Sequence, residues 1–256
     1  TMLRAMVITP QPLEPGRRYP VIQHIYGGPG AIVVPPSPTN KNLGLMREIA
    51  QQGFVVVTLD GRGTPGRGRD FQNFGYGRYG QVEAADQVAG LRNLAKERPY
   101  MDLARVGVMG VSWGGYFGLR TMLQAPELYK AGVFGAGGFE LATMRVSAEP
   151  YMGCASDKCT DAYAAGSNLA LIGRLQAPLL ILHGTADDDV PIEESRQLMR
   201  ALDDAGKPYE FVALEGVTHL VGDHPEVVRA RIAFFRKHLI EMNGHAADSG
   251  RATQRD

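Results

Sequence analysis

The chain has 256 residues, of which 44% are hydrophobic and 21% charged, and its 27 basic residues are balanced by 27 acidic ones. This composition and length are typical of a globular protein with one large buried core. The balanced charge argues against nucleic acid or an anionic membrane as a partner, and no apolar run approaches the length of a membrane span. The basic cluster at residues 61–69 is interpreted as a solvated, glycine-rich loop.

Apolar and β-branched runs bounded by glycine or proline predict six buried strands, and residues 2–9 supply a candidate for one more. Helical spacing of apolar residues between these runs predicts amphipathic helices. Because strands and helices alternate, the sequence predicts an α/β fold with a mostly parallel sheet and helices on both faces. The six strands are predicted at residues 21–26, 54–59, 106–111, 131–134, 179–182 and 211–214, and the helical faces at residues 84/88/91/95, 198/202/205 and 228/232/235/239.

The segment Gly-Val-Ser-Trp-Gly at residues 110–114 joins a predicted strand to a predicted helix. A serine on such a tight turn is raised above the sheet, as in the nucleophile elbow of α/β-hydrolases. Ser112 is therefore the candidate nucleophile, and the backbone N–H of Trp113 is a candidate donor to an oxyanion. The alternative interpretation makes Ser112 a simple helix cap.

An acid and a histidine follow the serine in the α/β-hydrolase order, after later strands of the predicted sheet. His219 is the candidate base, because His224 precedes a proline and is interpreted as the start of the last helix. His183 is predicted to pack or hydrogen-bond at a strand end. Asp187 is the candidate orienting acid because it follows its strand most closely, as an orienting acid at the sheet edge should.

No metal site is expected from these residues. Asp188 and Asp189 are interpreted either as solvated or as shaping the loop, and a calcium site is disfavoured because three consecutive carboxylates cannot all converge on one ion. Cys154 and Cys159 are too few to complete a structural zinc site, and the sequence leaves open whether they form a short disulfide or remain free thiols. The predicted chemistry requires no cofactor.

Five motifs occur in the order found in one enzyme family. They are Tyr-Pro-Val-Ile-Gln-His-Ile-Tyr-Gly-Gly-Pro-Gly at 19–30, Asp-Gly-Arg-Gly at 60–63, Gly-Val-Ser-Trp-Gly-Gly-Tyr at 110–116, Glu-Pro-Tyr-Met-Gly at 149–153 and His-Gly-Thr-Ala-Asp-Asp-Asp-Val at 183–190. Over residues 18–239 the chain resembles the catalytic domain of the prolyl oligopeptidase family of serine peptidases, and within it the dipeptidyl peptidase IV branch.

The resemblance implies roles for individual residues. It selects Asp187 as the acid of the triad and makes the hydroxyl of Tyr26 the second oxyanion donor beside Trp113. It also places Trp113, Tyr151 and Val190 in a small pocket that suits proline or alanine, and the alternative for Tyr151 is ordinary packing beneath a lid. Near this pocket, Ser147 and Met144 stand where dipeptidyl peptidase IV has aromatic residues. This difference weakens the expectation of a strict preference for proline.

The resemblance also guides the predicted organisation. Residues 1–18 form an edge strand or the remnant of a linker to a β-propeller outside this chain, residues 19–242 form the catalytic domain, and residues 243–256 form a disordered tail. By analogy a homodimer is expected, with the helix at residues 225–240 as a candidate surface. The compartment stays open: periplasmic or secreted if the parent chain is exported, and otherwise cytoplasmic.

The predicted function is peptide-bond hydrolysis through a Ser-His-Asp triad and an acyl-enzyme, of the dipeptidyl or acylaminoacyl peptidase kind. The resemblance does not transfer dipeptide-releasing specificity to particular residues of this chain. In that branch the acidic residues that hold the substrate N-terminus belong to the propeller. Two alternatives stand beside it: a carboxylesterase acting on small esters, and a catalytically silent docking domain.

Overall fold

In the computed structural model, which describes residues 1–27, 30–34 and 43–241, one sheet of seven strands forms the centre of the fold. The strand order is β1-β3-β2-β4-β5-β6-β7, and all neighbours are parallel except β1, which pairs antiparallel with β3 at the edge. The strands are β1 (Arg4–Ile8), β2 (Tyr19–His24), β3 (Val55–Asp60), β4 (Met101–Val111), β5 (Tyr129–Gly135), β6 (Leu179–Gly184) and β7 (Tyr209–Leu214).

Eight α-helices follow or connect these strands in the described part of the chain. They are α1 (Leu43–Gln51), α2 (Arg69–Gln72), α3 (Glu83–Lys96), α4 (Trp113–Gln124), α5 (Arg145–Met152), α6 (Thr160–Gly166), α7 (Glu193–Asp204) and α8 (Pro225–Arg236). A 3₁₀ segment covers Leu169–Arg174, and α8 continues into a π-helical turn at Lys237–Glu241. The prediction of a mostly parallel sheet flanked by helices is confirmed.

Two buried clusters cover the two faces of the sheet, because successive strand residues point to opposite sides. In β3, for example, Val55 and Val57 belong to the cluster that packs against α3, α4 and α7, while Val56 belongs to the cluster that packs against α1 and α8. This two-faced burial explains why the strands read as nearly continuous apolar runs.

The structure adds elements that hydrophobic periodicity did not reveal. Helices α5 and α6 and the 3₁₀ segment lie between β5 and β6, where short, mixed sequences carry no clear helical period. The predicted strand at residues 2–9 is present as β1. The predicted disordered tail at residues 243–256 lies outside the described residues. No helix in the described ranges is long and apolar enough to span a bilayer.

Glu83 opens α3 with a side chain that is almost completely buried. Its Oε2 accepts the backbone N–H of Val82 at 3.2 Å, while Oε1 has no hydrogen-bond partner. Burial raises the pKa of Glu83 to about 7 from an ordinary 4.5, although the backbone hydrogen bonds and the charge of Arg120 act in the opposite direction.

This raised pKa predicts a pH-dependent stability. Between pH 4.5 and 7 the folded state holds the Glu83 proton while the unfolded state has released it, so the contribution of Glu83 to stability falls as the pH rises. Glu83→Gln removes this dependence. From pH 4 to pH 8 we expect the free energy of unfolding of wild type, relative to E83Q, to fall by roughly 3 kcal/mol in urea titrations. A difference that does not change with pH would contradict the assignment.

Candidate active site

Ser112 lies on the sharp turn between β4 and α4, with φ 59° and ψ −127°. A non-glycine residue with positive φ is uncommon and marks a strained turn, which here lifts the serine side chain above the carboxyl end of β4. Gly110 and Gly114 make the turn sterically feasible. A Cβ on Gly110 would collide with the carbonyl of Gly114, and one on Gly114 with the carbonyl of Ile25.

The side chains of Ser112, His219 and Asp187 meet at the carboxyl edge of the sheet. His219 Nε2 lies 2.9 Å from Ser112 Oγ, and His219 Nδ1 lies 2.8 Å from Asp187 Oδ2. Because the carboxylate can only accept, Nδ1 carries the proton and Nε2 accepts from the serine hydroxyl. The side chain of His219 is 18% exposed and that of Asp187 is fully buried. The structure thus joins three residues that the sequence separates by up to 107 positions.

The loop after β6 holds both oxygens of Asp187. Oδ1 accepts the backbone N–H groups of Asp189 at 3.1 Å and Val190 at 2.8 Å, and Oδ2 faces His219. His183 Nε2 lies 3.3 Å from the same Oδ2. These contacts fix the carboxylate and keep its charge in a water-excluded position behind the imidazole.

His183 is buried and braces this loop, as predicted from its position at a strand end. Its Nε2 donates to the carbonyl of Val190 at 2.8 Å, so its Nδ1 accepts from the hydroxyl of Ser195 at 2.7 Å. Burial lowers the pKa of His183, although the Val190 and Asp187 contacts oppose this, and the lowered pKa favours a neutral ring. His183 therefore supports Asp187, and the histidine that contacts Ser112 is His219.

Tyr26 lies two residues beyond β2, and its hydroxyl is close enough to the side chain of Ser112 for the two groups to interact. Burial raises the pKa of Tyr26, and the Ser112 contact opposes this rise only in part, so the phenol stays protonated near neutral pH and can donate. Trp113 is the first residue of α4, where backbone N–H groups have no partner within the helix. The two predicted oxyanion donors therefore flank the serine.

A buried carboxylate holds Val33 and Val34, and the resemblance included it only as part of a motif. Asp60, at the end of β3, accepts the backbone N–H groups of Val33 at 2.8 Å and Val34 at 3.2 Å. Burial raises the pKa of Asp60, while these two backbone hydrogen bonds lower it. Asp60 thus ties residues 33–34 to the sheet beside the site.

An aromatic cluster lies on the α4 side of Ser112. Tyr79 stacks on Tyr151 with ring centroids 5.3 Å apart and meets Trp113 edge to face at 5.4 Å. Tyr79 and Tyr151 line a cavity of about 50 Å³. Sequence reasoning missed Tyr79, because it lies in a loop with no periodic or motif signal. Val190, by contrast, makes its described contacts with Asp187 and His183 through its backbone.

Three further predictions concern the start of α8, the basic loop at residues 61–69 and the two cysteines. His224 caps α8 with Pro225 following it, as predicted, and the side chain of Arg62 in the basic loop pairs with Asp86 at 2.6 Å rather than standing solvated. Cys154 and Cys159 form a disulfide between α5 and α6, so in the structure they are not free thiols. Among the described residues no group of three or more side chains could hold a metal ion.

The sheet order, the single antiparallel edge strand and the serine turn after β4 define an α/β-hydrolase fold. Comparison with known proteins gives the family. The profile described as "Prolyl oligopeptidase family" matches residues 41–241. The chain belongs to the prolyl oligopeptidase family, whose members are serine peptidases.

Relatives and solved structures agree with this placement. Dipeptidyl peptidase 8 of mouse and that of human are each 32% identical to the chain over 242 residues, covering 88% of it and 26% of the relative. The crystal structure of Porphyromonas gingivalis dipeptidyl peptidase 4 superposes with a TM-score of 0.84 at 28% identity, covering 93% of this chain and 34% of that one. The chain therefore spans about a quarter of the length of these curated relatives.

Proposed function

We propose that this domain hydrolyses peptide bonds by acyl transfer, with Ser112 as nucleophile, His219 as general base and Asp187 as the residue that orients it. The observation that carries the proposal is the continuous hydrogen-bonded chain from Ser112 Oγ through both nitrogens of His219 to Asp187. A serine hydroxyl is a weak nucleophile until a neighbouring base removes its proton, and this contact supplies the base at 2.9 Å.

The reaction proceeds in two halves. As Ser112 Oγ bonds to the substrate carbonyl carbon, its proton moves to His219 Nε2, and the oxyanion is held by the Tyr26 hydroxyl and the Trp113 N–H. His219 then gives the proton to the leaving amine, and the C–N bond breaks to form an acyl-enzyme. In the second half His219 Nε2 removes a proton from water as the water oxygen bonds to the ester carbon. The proton then passes to Ser112 Oγ as its bond to that carbon breaks, which releases the carboxylic acid product and regenerates the serine.

The substrate side of the proposal rests on the relatives and the aromatic cluster. Dipeptidyl peptidases among the relatives support a dipeptidyl or acylaminoacyl peptidase type of cleavage. The cluster of Trp113, Tyr79 and Tyr151 supports a small apolar residue on the acyl side of the cleaved bond. We place Val190 at the pocket through family resemblance alone. An N-terminal β-propeller outside this chain and a homodimer are proposed on the same resemblance, as is the division into residues 1–18, 19–242 and 243–256.

Model substrates test the reaction class. We expect Gly-Pro and Ala-Ala p-nitroanilides to be cleaved, with p-nitrophenyl acetate turned over as well, because the same triad attacks esters more easily than amides. Turnover of the ester with neither anilide cleaved would favour a carboxylesterase. If neither class reacts and a fluorophosphonate fails to label the protein, the silent docking alternative replaces the enzyme proposal.

Removing the hydroxyl of Tyr26 tests the oxyanion site. Tyr26→Phe keeps the ring but deletes one of the two proposed donors, so we expect kcat for the anilides to fall by about 10²- to 10³-fold. Tyr209→Phe is the matched control, because this tyrosine hydroxyl contacts Asp203 at the far edge strand. Equal pre-steady-state acylation rates in wild type and Y26F would remove Tyr26 from the mechanism.

The aromatic cluster predicts how selectivity changes with Tyr151. Tyr151→Ala opens the pocket beside Tyr79, so kcat/KM should fall for Ala-Ala p-nitroanilide and rise for an Ala-Leu analogue, shifting their ratio by about 10-fold or more. Tyr151→Phe keeps the stacked ring and should leave the ratio nearly unchanged. If the ratio of the two kcat/KM values were unaltered in Y151A, the substrate residue on the acyl side of the cleaved bond would bind elsewhere.

A further inference from the structure

A second cavity lies on the other side of Tyr26 from the aromatic cluster. Its volume is about 200 Å³, and it is bounded by the ends of β2 and β4, by α1 and by α8. Its apolar walls belong to the buried cluster on the α1 and α8 face of the sheet, whereas Trp113 and Tyr151 pack on the opposite face. Its lining includes His24, Tyr26, Leu45, Met46, Met109 and Arg231.

Arg231 brings a buried positive charge to this cavity. The residue is 3% exposed, and its Nε and Nη1 atoms have no hydrogen-bond partner, while Nη2 makes one long contact of 3.4 Å to the carbonyl of Gly222. Among the described residues none forms an ion pair with Arg231. Burial lowers its pKa to about 10, a value that still leaves the guanidinium charged at neutral pH. A buried charge that lacks a direct ion pair costs several kcal/mol, and buried donors are normally satisfied.

His24 supplies a second unpartnered polar atom. It is the last residue of β2, and its buried Nδ1 has no hydrogen-bond partner. Burial lowers the pKa of His24 to about 4, and the charge of Arg231 lowers it further, so the ring is neutral at pH 7. A neutral imidazole can donate one hydrogen bond to an anion without adding positive charge. The cavity therefore offers a buried guanidinium with unpartnered N–H groups and an imidazole nitrogen without a partner.

The remaining lining limits the charge and shape of a ligand. Asp223 also lines the cavity, and its carboxylate acts on Arg231 through space, which disfavours a dianion such as phosphate. Leu45, Met46 and Met109 provide an apolar wall. A cavity of roughly 150 Å³ holds a ligand of six carbon atoms in other proteins, so the space here suits a small aliphatic group.

From these contacts we infer that the cavity binds a short aliphatic monocarboxylate, with its carboxylate on the Arg231 guanidinium and His24 Nδ1 and its alkyl chain against Leu45, Met46 and Met109. The carboxylate satisfies the unpartnered donors and gives the buried guanidinium a direct ion pair. The site is separate from the proposed acyl-side pocket, and its existence does not depend on the peptidase proposal. Tyr26 lines it as well, so the ligand would lie next to the proposed oxyanion donor.

Isothermal titration of the full chain with butyrate and with butyramide tests the inference. These ligands have the same shape and differ in charge, so wild type should bind butyrate at least 10-fold more tightly than butyramide or inorganic phosphate. Arg231→Met should weaken butyrate binding by 10-fold or more, while Arg229→Met, an exposed arginine on the same helix, should leave it unchanged.

Several results would overturn the inference. These are the absence of butyrate binding by wild type, equal affinity for butyramide or phosphate, and full affinity in R231M. If R231M does not fold, the butyrate-to-butyramide preference of wild type and its loss in His24→Phe decide the question. Because binding is measured without a peptide substrate, a failure here leaves the proposed hydrolysis untouched, and a failure of hydrolysis leaves this site untouched.

Discussion

Ser112→Ala should abolish peptide hydrolysis, with kcat for Ala-Ala p-nitroanilide falling by about 10⁶-fold. The substitution removes only the hydroxyl that bonds to the substrate carbonyl carbon, and no neighbouring group can replace it. The protein should still fold, since alanine retains the Cβ that already occupies the strained turn at φ 59°. Stopped-flow and steady-state assays of wild type and S112A measure the loss, and thermal unfolding checks the fold.

Ser156→Ala offers a control in the disulfide loop, where loss of a hydroxyl should not alter turnover. Contamination by a host peptidase would give S112A residual activity with the KM of another enzyme, and a fluorophosphonate titration separates that case. If S112A turned over substrate within 10-fold of the wild-type rate and with the wild-type KM, Ser112 would be excluded as the nucleophile.

Asp187→Asn has the second largest expected effect, a fall in kcat of about 10⁴-fold. Asp187 Oδ2 accepts from His219 Nδ1 at 2.8 Å and so keeps the proton off Nε2, which must be free to accept from Ser112. An asparagine nitrogen facing Nδ1 would favour the other tautomer and leave no base beside the serine. The carboxylate charge that stabilises the imidazolium in the transition state would also be lost.

The neighbouring carboxylates make this a selective test. Asp188→Asn changes an exposed residue of the same loop and should leave kcat within about 2-fold of wild type, as expected for a surface substitution. In D187N the KM should change little, because the altered group does not touch the substrate. Equal losses in D187N and D188N would mean that the loop, rather than the carboxylate of Asp187, is what matters.

The parts of this site that the sequence predicted are those fixed by local chain geometry. The elbow at residues 110–114 is recognisable because a tight strand-to-helix turn demands glycines on both sides of the serine, and the structure shows the collisions that a Cβ would cause at Gly110 and Gly114. The sheet was likewise predictable, since burial on two faces leaves nearly continuous apolar runs such as β3 and β6.

The parts that were missed arise from packing between distant segments. Tyr79 sits in a loop, and only the folded chain brings its ring to Tyr151 and Trp113. From the sequence alone, Arg231 would be assigned to the charged, exposed face of an amphipathic helix. In the structure it is buried on the face that packs against the sheet. The helical pattern of α8 could not distinguish a buried arginine from an exposed one.

The pairing of Cys154 and Cys159 was also undecided before the structure, because spacing alone is compatible with free thiols or with a bridge. Two different roles are also assigned to Val190, one to its side chain and one to its backbone. Resemblance placed its side chain in a substrate pocket, while the described contacts show its backbone holding Asp187 and His183.

Labelling with a fluorophosphonate, followed by peptide mapping, tests the central claim that His219 activates Ser112. The reagent traps a serine only when a base withdraws its proton. We expect stoichiometric modification of Ser112 in wild type and a rate at least 10³-fold lower in His219→Gln, with the same thermal unfolding midpoint in both. Modification of another residue, or equal labelling rates with and without the imidazole, would contradict the account.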